Sequence, residues 1–129
     1  KQHRLVKEAM AAVHLRRAMF FYHRKVLDLA VESAKLALEW HPDHAPAWFT
    51  LGSILDEMKQ YDLAEQAYLD AIQRMPDLPG PRQNLAYLYG LAKNFDRAEE
   101  LAREEMRLTR GAPNTKALLD VLAQMKAKG

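Results

Sequence analysis

The sequence has no cysteine, which excludes disulfide frameworks, thiolate metal sites and thiol nucleophiles. Nor does any apolar run approach the ~20 residues that a membrane-spanning helix needs. The opening segment KQHRLVKEAM lacks the apolar stretch of a secretory signal, and we read the chain as cytoplasmic. It begins with lysine inside a helical pattern, so the expectation is a piece of a longer protein. There is no G-x-S-x-G elbow, phosphate-binding loop or dinucleotide glycine pattern. His3, His14, His23, His41 and His44 have no serine or carboxylate at a catalytic spacing. Nothing points to an enzyme or a cofactor.

What is present is the balance of a globular protein: 129 residues, 49% apolar and 28% charged. The formal charge of +2 is unevenly spread, with net +6 over residues 1–25, −7 over 28–77 and +3 over 78–129. A nucleic-acid binder would present a continuous basic face with interleaved aromatics, and the acidic middle interrupts such a track. A nucleic-acid adaptor therefore stands only as a third reading.

Sliding the chain against itself by 34 residues brings like residues together. Small residues recur as Ala18, Gly52 and Ala86 and as Ala30, Ala64 and Ala98. Large apolar ones recur as Phe20, Ile54, Leu88 and Leu122, and as Leu27, Tyr61 and Phe95. Each unit reads as two helices joined by a short turn, HRKVL, MKQY or AKNF, with Asp28, Asp62 or Asp96 expected to cap the second helix. Asp62 with Glu65 and Asp96 with Glu99 have capping-box spacing; Asp28 has Val31 instead. The segments WHPDHAP, MPDLPGP and RGAP separate the units, since proline cannot continue one helix but can open the next.

The middle unit supplies Trp48, Leu51, Gly52, Ala64, Tyr68, Ala71 and Pro76, and so resembles the tetratricopeptide repeat, Trp-x2-Leu-Gly-x2-Tyr, then Ala-x3-Phe, then Pro. Leu55 stands where tyrosine is usual. The flanking units match more loosely: His14 and Arg17 depart in the first, and Arg82, Glu105 and Arg110 in the third. The resemblance implies an all-α, right-handed helical-repeat array, or α-solenoid, of about seven helices in one domain. Its parts are a helix extension over 1–10, repeats over 11–44, 45–78 and 79–112, and a closing helix over 113–129. Gly52 is then expected where the two helices of its repeat cross, facing Ala64 and Ala71, so that close packing offsets a helix cost of about 1 kcal/mol.

In that family the first helix of each pair lines a concave groove. The resemblance thereby implies a partner-binding set of Leu15, Met19 and Tyr22, then Phe49, Ser53 and Asp56, then Gln83, Tyr87 and Gly90, with Val121 as an addition from the closing helix. Phe20, Phe21, Leu88 and Tyr89 are expected to pack between repeats instead. Some family members grip the carboxylates of chaperone tails in this groove. Here Leu15, Met19, Thr50, Gly80 and Asn84 occupy the matching places, with one of five clamp residues present, so no carboxylate clamp is expected. Asp56 and Glu57 give an acidic rim to an apolar groove, which suits a protein or peptide partner such as a basic amphipathic helix. HPDH at 41–44 spells a J-domain tripeptide, but Pro42 closes a repeat as Pro76 does, and no metal is expected at the two histidines. The function implied is a protein-interaction module, with neither catalysis nor membrane insertion. The alternative is a scaffold that forms homo-oligomers through its basic amino-terminal helix and acidic middle.

Overall fold

A computed structural model describes residues 2–129, with side chains from residue 3 onward; the Lys1 of the basic extension lies outside the described residues. The described residues form seven α-helices: α1 (Gln2–His23), α2 (Leu27–Trp40), α3 (Ala45–Glu57), α4 (Tyr61–Arg74), α5 (Pro81–Leu91), α6 (Phe95–Thr109) and α7 (Pro113–Lys128). They gather into two compact units that divide after Pro76. No helix among them is long and apolar enough to cross a membrane.

Three helices open on proline: Pro81 and Pro113 stand at the first position of α5 and α7, and Pro46 at the second of α3. A missing N–H costs nothing there, because the first-turn amides have no intrahelical acceptor. The other junctions repeat one backbone device that the sequence did not disclose. Lys25, Lys59 and Lys93, spaced by 34, all adopt the left-handed conformation, with φ of 61°, 62° and 65°. Val26, Gln60 and Asn94 then donate their amides back to the carbonyls of Phe21, Leu55 and Tyr89 at 2.8–2.9 Å. These are the closing bonds of a Schellman motif, which satisfies carbonyls left over at a helix end.

The Asp caps are corrected by the same geometry. Leaving the left-handed residue, the chain enters the next helix at once, so Val26, Gln60 and Asn94 are the capping residues and make no side-chain cap bond. Asp28, Asp62 and Asp96 fall inside the first turn. Their charge faces the positive end of the helix dipole there, worth roughly 0.3–1 kcal/mol each at an exposed site.

In the first unit α1 packs on α2, α3 on α4, α2 on α3, and α1 more lightly on α3. Small residues make the crossings close: Ala18, Ala30, Ala34, Ala37, Ala64 and Ala71 have no exposed surface. Gly52 serves such a crossing, but against a different neighbour from the one expected. A Cβ there would lie 2.7 Å from the ring of fully buried Tyr68, so the glycine makes room for an aromatic rather than for Ala64 and Ala71. Phe20, expected between repeats, is instead half exposed, with the Arg24 guanidinium 3.7 Å above its ring.

In the second unit α5 packs on α6, and α7 lies against both. Leu85, Ala86, Ala98, Ala102 and Leu122 form its centre. Glu105 occupies the register position held by buried Ala37 and Ala71, yet it too is buried. Its Oε2 accepts the Gly80 amide at 2.8 Å, while no partner reaches its buried Oε1. Gly80, with φ 116° and ψ −55°, lies in a region open to glycine and so allows that approach. Burial holds the Glu105 carboxyl above its ordinary pKa, against the opposing pull of the Gly80 bond and Arg82.

Candidate functional site

Leu15, Met19 and Tyr22 follow the i, i+4, i+7 spacing of one helical stripe on α1, and Phe49, Ser53 and Asp56 repeat it one period later on α3. Because α1 and α3 touch, the two stripes are neighbours in the first unit. Met19 is exposed, and the other five are half-buried, which is the profile of a face rather than a core. Phe49 leans on Tyr68 with ring centroids 6.1 Å apart. Ser53 turns inward, donating its hydroxyl to the Phe49 carbonyl at 3.1 Å, and so presents no donor of its own.

The polar end of this face is built around Asp56. Tyr68 donates its hydroxyl to Asp56 Oδ2 at 3.0 Å, so the residue that Gly52 accommodates also orients the carboxylate. Burial pushes the Asp56 carboxyl above the usual carboxylate range; the Tyr68 bond works against that shift and neighbouring Glu57 adds to it. Tyr22 is likewise raised, first by burial and then by Glu57, with Lys25 opposing. The acidic rim is narrower than expected. Lys25 Nζ reaches Glu57 Oε2 at 3.3 Å, leaving Asp56 as the carboxylate of this rim with no ion pair among the described residues. Tyr68 was legible only as an apolar repeat position, although a tyrosine there signalled a hydroxyl in need of a partner.

In the second unit the expected set divides. Tyr87 is exposed on α5, and Val121 of α7 is partly so. Gly90 is corrected: it is buried beneath α7, where a Cβ would lie 2.6 Å from a Leu122 methyl, and is closed to a ligand. Gln83 is engaged by the same helix, accepting the hydroxyl of fully buried Thr115 at 3.1 Å. The closing helix thus occupies the part of α5 that was expected to bind a partner.

HPDH forms a turn. Trp48 donates its indole N–H to the Pro42 carbonyl at 2.7 Å, and Arg74 reaches Asp43 at 3.3 Å. The His41 and His44 rings lie 5.1 Å apart, and no group of three metal-ligating side chains forms among the described residues.

The repeat geometry has a counterpart in known proteins. A profile of the tetratricopeptide repeat matches residues 34–66. The Arabidopsis OM64 TPR domain superposes with a TM-score of 0.87 over 92% of this chain and 98% of that one, at 14% identity. Residues 34–66 thus match a tetratricopeptide repeat, and the fold is that of tetratricopeptide repeat domains. The first TPR domain of Spaghetti (RPAP3), solved with the HSP90 peptide SRMEEVD, is equally similar in fold, at 0.87 over 93% of this chain and 95% of that one with 12% identity. In sequence, human protein O-mannosyl-transferase TMTC1 is 35% identical over 77 residues, which are 60% of this chain. That match spans only 9% of the human protein's length.

Proposed function

We propose that this tetratricopeptide repeat chain is a protein-interaction module whose α1–α3 face holds a peptide or amphipathic helix bearing an apolar anchor and a cationic side chain. The observation that carries this reading is exposed Met19, with half-buried Tyr22 and Phe49, beside an Asp56 carboxylate whose donor is the neutral Tyr68 hydroxyl. An ammonium or guanidinium group would find there both a counter-charge and aromatic faces. The peptide named with Spaghetti ends in the acidic run EEVD. Leu15 and Met19 offer such a run no positive charge, so the chemistry of this face favours the opposite sign. Repeats bounded at 11–44, 45–78 and 79–112 are the units of the module in this reading. It binds without catalysis, and the mannosyl-transfer activity in the relative's name is not assigned to it.

The test is calorimetric titration with two synthetic helices of one leucine pattern, one lysine-rich and one glutamate-rich. The lysine peptide is expected to bind, and Met19→Ala or Phe49→Ala to weaken it by roughly 1–3 kcal/mol. Because the Asp56 carboxyl is raised, affinity should climb with pH as that group ionises, and Asp56→Asn should flatten the climb. Preference for the glutamate peptide, or an affinity unaffected by Asp56→Asn, would overturn the reading.

A further inference from the structure

One face of α1 is apolar, and no other described helix covers it. At the 34-residue period, Val13, Arg17 and Phe20 of α1 correspond to Ala47, Leu51 and Ile54 of α3. In α3 these positions are 0%, 7% and 0% exposed. In α1, Val13 is 47% exposed, Phe20 is 50% exposed and Arg17 lies open as well. The difference has a plain cause. Each helix packs on its own hairpin partner, but α3 also receives α2 of the preceding pair, and no described residue does this for α1. Val6, seven residues before Val13 and 52% exposed, extends the stripe. Arg16, Arg17 and Arg24 border it, so its chemistry is apolar and basic.

We infer that this stripe docks on the α2–α4 surface of a second copy of the chain, placing Phe20 in the crevice between those helices. That crevice encloses about 320 Å³ above α3, with Val31, Leu55, Met58 and Leu63 in its walls and Lys35 and Asp70 at its rim. Leu29 and Leu63 stand exposed on its two helices, beside Asp28, Glu32 and Asp62. The surface is therefore apolar and acidic, the complement of the α1 stripe. It also belongs to second helices of their pairs, as does the helix that covers the equivalent face of α3. Charge selects against the symmetric alternative, because α1 against α1 would confront Arg16, Arg17 and Arg24 with their own copies. The contact is heterologous, leaves one free half at each end, and either closes a ring or continues as a filament. It is independent of the ligand proposed for the α1–α3 face.

Sedimentation velocity on the whole chain tests this with two variants and their mixture. Phe20→Glu blocks the stripe and Leu63→Glu blocks the crevice; both sites are at least half exposed, so folding should survive and is verified by circular dichroism. Wild type is expected to gain mass with concentration and to lose it with salt. Each variant alone should be monomeric. Mixed one to one they should form a dimer and nothing larger, because each retains the half that the other lacks. Should Phe20→Glu lose helical signal, Val13→Glu replaces it, and Gln66→Arg, at an exposed residue of the crevice wall, does the same for Leu63→Glu. A wild type that is monomeric at every concentration would overturn the inference, as would assembly that survives both variants or folded variants that fail to pair when mixed.

Discussion

Replacing Gly52 asks the structure for room that it does not have. A Cβ at this position would lie 2.7 Å from Cδ1 and Cε1 of Tyr68 and 3.2 Å from its Cγ. Restoring ordinary carbon contact, ~3.5–4.0 Å, requires the ring to move by about 1 Å. The ring is not free to do so, since Tyr68 is fully buried and its hydroxyl is bonded to Asp56. Overpacking of this kind costs about 1–3 kcal/mol. Against it stands the gain in helix propensity, ~1 kcal/mol for alanine and somewhat less for valine. Gly52→Ala should therefore come out near neutral to about 2 kcal/mol destabilised, and Gly52→Val, with two further methyls against the ring, destabilised by roughly 1–3 kcal/mol. In a chain of this length 1 kcal/mol corresponds to about 4 °C in the thermal midpoint. Tyr68→Leu removes the obstacle, so the valine change should cost less on that background, and a double-mutant cycle followed by thermal melts reads the coupling directly. A midpoint that Gly52→Val leaves unchanged or raises, or a cycle with no coupling, would refute the packing argument.

Gly90→Ala meets the end of a flexible leucine rather than an aromatic ring, so it should cost less than Gly52→Ala in parallel melts. Lys59→Gly removes a side chain from the left-handed region, a strain of about 1–2 kcal/mol partly offset by unfolded-state entropy; a rise of up to about 1 kcal/mol in urea titration is expected. Glu105 is held above its ordinary pKa by burial, so its contribution is fully present below the unfolded carboxyl pKa and is lost as pH rises through the folded one. Glu105→Gln keeps an acceptor for the Gly80 amide, and should raise the neutral-pH melting midpoint and flatten that part of the stability–pH profile. Tyr87→Ala removes an exposed ring, so it should leave the melt within about 0.5 kcal/mol of wild type.

The repeat pattern reached the structure wherever a residue's job is set within its own helix pair. Seven helices, the prolines that open three of them, and a crossing at Gly52 were all readable at the 34-residue period. The neighbour of Gly52 was not, because Ala64, Tyr68 and Ala71 share one stripe of α4 and periodicity does not say which approaches closest. The Asp caps failed by two residues, since a lysine in the left-handed conformation carries no sequence mark of the kind glycine would give. Gly90 was misplaced because the 34-residue period marks Leu122 of α7 as a packing residue without saying which neighbour it packs on, and the same helix engages Gln83. Phe20 shares the register of Ile54 and Leu88 and was assigned to packing with Leu88, but no described residue covers that face of α1 as α2 does for α3. In the candidate site, the α1 and α3 stripes came from the resemblance to the repeat family, and helical spacing agrees with one face on each helix. The pairing of Glu57 with Lys25, which concentrates the acidic character on Asp56, depends on how two turns meet in space.

The most direct test of the binding reading is amide chemical-shift mapping of the folded chain during titration with the lysine-rich amphipathic helix. Perturbations should concentrate on the α1–α3 face, at Leu15, Met19, Tyr22, Phe49, Ser53 and Asp56, and shrink in Asp56→Asn. Perturbations gathered instead on the opposite stripe of α1 at Val13 and Phe20, on α7, or absent at saturating peptide, would contradict it.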